Sequence, residues 1–533
     1  MTEILSAENM GVKKLSKAEL ARSLILVAYL PISIFFDLQN FSFPEPSSYL
    51  LYVVSKLVQL FLLYLLLKSV QTAIQKRCID GKFRLALILF AVLFVGLLLL
   101  WPGNWVEVDE YKIYQYALML QVHPTRGLFI AVMYVAGLMF FFHPVMISGF
   151  QLALGAWIYA ELIQQCRKMT GRRAIPVVLL LFSPVTLYFL YQPMRTFLFG
   201  ALLLLFLQRY LLLWHQQEKS VLQKEVIKLS LLVAGLICIR TEIKFLLLVY
   251  PIMLAVLFAR RKLAAVRQVV TALLIMILTL SGYTACERSC AGGDSPVALN
   301  YVMPIYTILQ DPKFDREAHR EELESIDRVY AIDEIMSQTN RAYTLAEPRD
   351  GYTKQEMNRF LTSSTKLILA YPRDFLRCRW NEFVISVGFD AEAGYIQTTE
   401  NVMSEHVKDW DVGDLPQRVK PLNAELRNKV SKFLGGQFTV LGINMNFVFW
   451  ALWLPIVITT ELFLVAIWEK RIDFVLVLSV LLIELVGIIL TAPVKYAMYY
   501  FANYLGGWYL LYLYCFYRNQ TRNSLDIREK SVQ

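Results

Sequence analysis

The chain has 533 residues, of which 57% are hydrophobic and only 18% charged, against about 45–50% and about 25% in soluble globular proteins. That balance excludes a soluble enzyme, a disordered chain and a disulfide scaffold. The 53 basic and 43 acidic residues leave a net charge of +10, and the excess sits in short loops between apolar stretches, where the positive-inside rule explains it without any nucleic acid.

Taken in order, the first 21 residues are polar, with Lys13, Lys14 and Lys17 among them. The apolar run that follows lacks a small-residue cleavage site and reads as a retained signal anchor. Runs of spanning length lie near 22–38, 49–70, 85–101, 145–164, 175–192, 194–214, 227–239, 244–259, 266–284, 443–468, 472–491 and 496–517. Basic clusters at Lys76-Arg77, Arg167-Lys168, Arg172-Arg173, Arg260-Arg261-Lys262 and Arg518…Arg522 belong on the cytoplasmic side.

A further apolar run, 127–142, conflicts with that orientation. If it crossed, the Arg167–Arg173 loop would fall outside. Placed as a juxtamembrane or re-entrant helix on the outer face between Pro124 and Pro144, it leaves about twelve crossings with both termini cytoplasmic. The expected fold is therefore an all-α polytopic membrane protein with an extracytoplasmic, mainly helical domain. It divides into a membrane region over 1–284, an outer domain over 285–441 and a second membrane region with a basic tail over 442–533. Within the outer domain the pattern predicts helices near 313–340 and 354–380.

The chemistry concentrates where the third span ends. Trp101-Pro102-Gly103 breaks that helix, and Glu107, Asp109 and Glu110 follow within a few residues, then Tyr111, Tyr114, Tyr116 and His123-Pro124. Neighbouring carboxylates beside a bilayer suit general-base work, because burial and mutual repulsion raise one pKa. They also suit a divalent cation held against a phosphate. The plainer reading is a pair of solvated acids that start a helix, where the dipole favours them. At the outer ends of other spans stand Arg195, Arg240 and Lys244, against the orientation bias. Such cations bind phosphate, Arg bidentately and Lys as a point charge; equally, long basic side chains snorkel at helix ends.

These stretches resemble the GT-C superfamily of glycosyltransferases that use lipid-phosphate sugars. The likeness rests on the acidic pair in the first large outer loop, followed by His123-Pro124-Thr125-Arg126-Gly127-Leu128 opening a membrane-hugging helix, without the second proline of the bacterial pattern. Ser183-Pro184…Gln192-Pro-Met-Arg195 is similar to the family's turn before a basic residue, with Arg195-Thr196 where many members carry Lys-Asp. Ile239-Arg240…Lys244 resembles the place where relatives set a base against the lipid phosphate, and Lys495-Tyr496 resembles a basic-Tyr pair before the last spans.

The resemblance implies an inverting transfer from a polyprenyl-phosphate-linked sugar donor to a glycan, lipid or protein acceptor, on the outer face of a bacterial cytoplasmic membrane. Asp109 or Glu110 would be the base, with Arg195, Arg240, Lys244, His123, Lys495 and Tyr496 around the substrate or its phosphate. Glu107, Asp109 and Glu110 would be the ligands of any divalent cation. An O-antigen-type polysaccharide polymerase and a transporter or flippase of lipid-linked glycans are the alternatives. A transporter needs a polar path, and only Lys56, Glu461 and Glu484 are scattered charges within spans. Cys286, Cys290 and Cys378 fall in the outer region, where a disulfide can form.

Overall fold

The computed structural model describes residues 17–76, 80–105, 108–123, 127–171, 174–215, 219–261, 265–290, 299–337, 348–349, 351–389, 419–492 and 496–532. Glu107, Pro124 and Lys495 lie outside them. The chain is an all-α polytopic membrane protein. Among the described residues nine helices are long and apolar enough to cross a bilayer.

The first six helices are α1 (Lys17–Asn40), α2 (Pro46–Lys76), α3 (Gly81–Leu99), α4 (Val108–Leu118), α5 (Gly127–Phe140) and α6 (Pro144–Thr170). Their ends follow local chemistry. Asp80 caps α3 by accepting from the Lys82 and Phe83 amides. Pro144 opens α6 at a position whose N–H needs no partner, and Gly171 closes it at φ 62°, with its N–H bonded to the Arg167 carbonyl.

The expected span at 175–192 is two short helices, α7 (Ile175–Leu181) and α8 (Pro184–Tyr191). Pro184 cannot donate into a continuing helix, and Ser183 instead caps α8 through the Thr186 amide. Four longer helices follow: α9 (Arg195–His215), α10 (Lys219–Ile239), α11 (Leu246–Arg260) and α12 (Ala265–Cys290), with a 3₁₀ turn over Thr241–Phe245 leading into α11. The expected span at 227–239 is the second half of α10.

Helix α9 is the centre of the bundle and is buried along nearly its whole length. Lipid tails give no hydrophobic drive for one apolar helix to join another, so close packing and polar links hold it. Gly155 of α6 lies where a Cβ would meet the Phe197 ring at 2.7 Å. Gln208 donates to the Leu162 carbonyl at 3.0 Å and Tyr210 to the Met253 carbonyl at 2.8 Å. By contrast Leu24, Val27, Phe61, Val92, Val95 and Leu278 stand exposed on α1, α2, α3 and α12, the surface that faces lipid.

Helix α5 is buried on every side, between α4 above it and α2, α6, α10 and α12 around it. Its all-round apolarity is that of a packed helix, and it does not present a face to lipid as a surface-lying helix would. Its two ends touch the same end of the bundle. The Leu128 and Phe129 amides bond Glu287 and Tyr283 at the end of α12, both at 3.1 Å, while Phe142 beyond its other end packs on Phe41 beyond α1.

The region after α12 holds α13 (Leu299–Leu309), α14 (Arg320–Asp327), α15 (Ile332–Ser337), α16 (Lys354–Ala370) and α17 (Pro372–Ser386). The helix expected over 313–340 is thus two short ones, and the one expected over 354–380 breaks at Pro372. Val302, Ile305, Ile326, Tyr330, Phe360 and Leu367 make a small core of their own. The second half of α17 and α18 (Ala424–Leu434) pack with the bundle instead, through Val387 and Leu434. A two-residue antiparallel hairpin, Thr439–Val440 with Ile443–Asn444, precedes α19 (Met445–Phe449), α20 (Trp453–Trp468), α21 (Ile472–Thr491) and α22 (Phe501–Val532).

Candidate active site at the Asp109 end of the bundle

The loop after α3 is seated before its acids appear. Gly103 takes φ 139°, and a Cβ there would strike Ser148 of α6. The Asn104 amide donates to the Tyr191 carbonyl at 2.8 Å, tying the end of α3 to the end of α8. Trp105 is fully buried, with ring centroids of Tyr111 at 5.6 Å, Tyr114 at 5.7 Å and Tyr134 at 6.1 Å. Aromatic pairs of this kind add about 0.5–1.5 kcal/mol each beyond their buried area. Helix α4 therefore starts from a fixed point, with Asp109 and Glu110 in its first turn.

The two acids have different surroundings. Glu110 is completely buried and accepts a hydrogen bond from Gln192 at 2.7 Å. Asp109 is half-buried. Burial, with the Glu110 charge adding to it, pushes the Tyr111 hydroxyl pKa up, and Arg427 nearby opposes the rise. Arg427 reaches in from α18 and donates to the Gly103 carbonyl at 3.1 Å, while its Nε has no partner among the described residues. Burial lowers its pKa from the usual value, but a guanidinium stays protonated at neutral pH.

The cations arrive through the same turn. Gln192 caps α8, and three residues later Arg195 opens α9 and donates to the Ile239 carbonyl at 3.1 Å. That carbonyl belongs to the last residue of α10, so the following residue, Arg240, is drawn to the same place. Its guanidinium carbon lies 5.0 Å from the Phe199 ring and 5.3 Å from the Tyr499 ring, and its Nη1 is 3.5 Å from the Tyr499 carbonyl. Arg240 is only 4% exposed, its Nε has no partner, and it forms no ion pair among the described residues. A buried guanidinium with donors to spare is costly until an anion meets them. Nearby, buried Glu484 of α21 is bonded to Asn503 of α22.

The other expected residues are distributed less tightly. Lys244 is exposed on the 3₁₀ turn, and Tyr496 is half-buried where the chain enters its last helices. His123, expected around the substrate or its phosphate, is packed against an aromatic ring. Its ring packs edge-on against Tyr116 at 4.9 Å, and burial, helped by Lys112, pushes its pKa down to about 4. It is neutral at pH 7 and offers no charge to a phosphate. No disulfide joins Cys286, Cys290 and Cys378 among the described residues. No three His, Cys, Asp or Glu side chains converge among the described residues, so the carboxylates described for a cation are Asp109 and Glu110.

Lys56 is not part of a path through the bundle. It forms an ion pair with Asp37 of α1 and donates to Ser33 at 2.7 Å and to Gln59 at 2.8 Å. Arg427, Gln192, Phe199 and Tyr499 joined the site without being expected there. No family model, curated protein or solved structure matches this chain.

Proposed function

We propose that this chain is a membrane glycosyltransferase of the GT-C kind, moving a sugar from a polyprenyl-phosphate-linked donor to an acceptor hydroxyl. The observation that most supports this reading is the Gln192–Glu110 hydrogen bond at 2.7 Å. It ties the acidic start of α4 to the turn that launches Arg195 and, through the Ile239 carbonyl, to Arg240.

In this reading Asp109, the half-buried acid, takes the proton of the acceptor hydroxyl. The freed oxygen lone pair attacks the anomeric carbon from the face opposite the phosphate, and the carbon–phosphate oxygen bond breaks with inversion. The electron pair leaves on the phosphate, where Arg240 and Arg195 stabilise the growing charge. Buried Glu110 fixes the loop and biases the Asp109 pKa. A divalent cation held by Asp109 and Glu110 would add positive charge at the same phosphate, and carboxylates suit such an ion.

The proposal carries a topology. Twelve crossings count α7 with α8 as one and include α10 and α22, α5 does not cross, and the Asp109 end is extracytoplasmic in a bacterial cytoplasmic membrane. Cysteines at exposed positions test it. In cells, Lys354→Cys should react with an impermeant reagent and Lys168→Cys should not; the reverse would put the site on the wrong side.

The function is tested in proteoliposomes with labelled polyprenyl-phosphate sugars and envelope glycans or lipids as acceptors. Transfer of a single sugar is expected. Long products would favour the polymerase reading, and movement of the lipid-linked glycan without a new glycosidic bond would favour transport.

A further inference from the structure

Outside the site just described, a cavity of about 740 Å³ lies between α13 and α17. We infer that it binds the phosphate of a lipid headgroup. The inference stands apart from the glycosyltransferase reading and asks nothing of Asp109.

Three observations converge on it. The first is charge. Lys313, Arg373 and Arg377 line the cavity, are exposed, and form no ion pair among the described residues. Of the three acids that share the lining only Glu382 is neutralised by an ion pair among the described residues, and the three cations still outnumber Asp311 and Asp374. Glu382 is held by buried Arg379 at 2.7 Å, Asp311 accepts from the Lys313 amide at 2.9 Å, and Asp374 sits in the first turn of α17, where the helix dipole favours it. Arg373, Arg377 and Asn381 fall four residues apart on one stripe of α17, a spacing that lets two guanidiniums meet one phosphate.

The second observation is the stripe beside it. Leu376 is 58% exposed and Trp380 is 61% exposed, and their i, i+4 spacing makes them neighbours on the helix surface. A solvent-facing helix has no reason to pair a bare Leu and Trp with an arginine row. A helix at the edge of a bilayer does, with Trp at the headgroup level and Arg toward the phosphates.

Depth is the third. The second half of α17 sits on the end of a membrane-crossing helix. Arg379 donates to the carbonyl of Ala492, the residue that ends α21, at 2.6 Å, and Phe383 packs on Tyr500 with centroids 5.5 Å apart. That level is where headgroups begin. The tyrosines Tyr306 and Tyr371 complete the wall with flat faces.

The test uses the full chain purified in detergent and native mass spectrometry. Three lipids are offered separately: phosphatidylglycerol, a polyprenyl phosphate, and diacylglycerol, which has no phosphate. Wild type is expected to retain the two phosphate lipids about tenfold more than diacylglycerol. Arg373→Gln with Arg377→Gln should bring them down to the diacylglycerol level, while Arg373→Lys with Arg377→Lys should keep most of the preference. These side chains are exposed, and unchanged unfolding temperatures would show that the variants fold. Equal retention of the two phosphate lipids identifies a bulk headgroup site. Preference for the polyprenyl phosphate identifies a lipid-linked substrate. A double glutamine variant that retains phosphate lipids as well as wild type does, or wild type that holds diacylglycerol equally well, would overturn the inference.

Discussion

The carboxylates at the Glu161 end of the helix bundle and the arginines at its Asp109 end handle charge differently. At the Glu161 end the buried and half-buried carboxylates described meet counter-charges, although Arg22 rests on the Tyr64 ring and Arg261 on the Leu213 carbonyl. Glu161 of α6 joins Lys82 of α3 and Arg209 of α9, and Arg209 also approaches Glu225 of α10 at 3.5 Å. Asp473 takes Arg471 at 3.0 Å and His215 at 3.2 Å, and Glu469 takes Arg518 at 3.2 Å. At the Asp109 end Arg379 and Lys56 are paired with Glu382 and Asp37, but Arg240 and Arg427 have no ion-pair partner among the described residues, although Glu484 lies close enough to feel the Arg240 charge. Arg240 has two ring faces and a carbonyl, and Arg427 has the Gly103 carbonyl. The Glu161 network joins α3, α6, α9 and α10, while at the Asp109 end the Nε donors of Arg240 and Arg427 have no protein partner among the described residues.

That contrast gives separable expectations. The largest effect on stability belongs to the paired end. Glu161→Gln leaves Lys82 and Arg209 without their shared partner and should cost about 3 kcal/mol, read as a lowered unfolding temperature in detergent. Sugar transfer per folded molecule should not change. Arg240→Ala should do the reverse. Losing a charge-assisted contact to phosphate should lower transfer about 10–100-fold, with Arg240→Lys keeping more of it and the unfolding temperature unchanged or raised. If Arg240→Ala unfolds the protein as Glu161→Gln does, the two ends are built alike and the comparison fails.

A smaller effect follows from His123. Its folded pKa is pushed down to about 4, below the ordinary value near 6.5. Between these values the unfolded chain binds a proton that the folded chain does not. Stability from this group is therefore complete above about pH 6.5 and is lost as pH falls toward about 4. His123→Gln should flatten that part of the unfolding-temperature profile. A variant profile as steep as that of wild type would move the acid sensitivity elsewhere.

Much of the fold was legible in the sequence because apolar length and loop charge are strong, local signals. They located the helices and singled out the run at 127–142. What composition could not say is that α5 is roofed by α4, although its apolarity on all faces carries that message. Pro184 and Pro372 stood in plain view as helix breakers, and both breaks passed unnoticed inside otherwise continuous patterns. The site was legible where its residues are close in the chain, at Asp109-Glu110 and at Arg240. It was not legible where contacts are long-range. Arg427 and Gly103 are separated by 324 positions, and nothing in the polar helix around Arg427 marks it. Lys56 likewise gave no sign that Asp37, on the neighbouring helix, is its partner.

The central claim is that the half-buried carboxylate of Asp109 is a base, and that the fully buried one of Glu110 supports it. Turnover of Asp109→Asn with a polyprenyl-phosphate-linked donor, in proteoliposomes of correctly folded protein, tests this most directly. General-base loss predicts a fall of about 10²–10⁴-fold with donor binding intact. Near-wild-type turnover in both Asp109→Asn and Glu110→Gln would contradict the account.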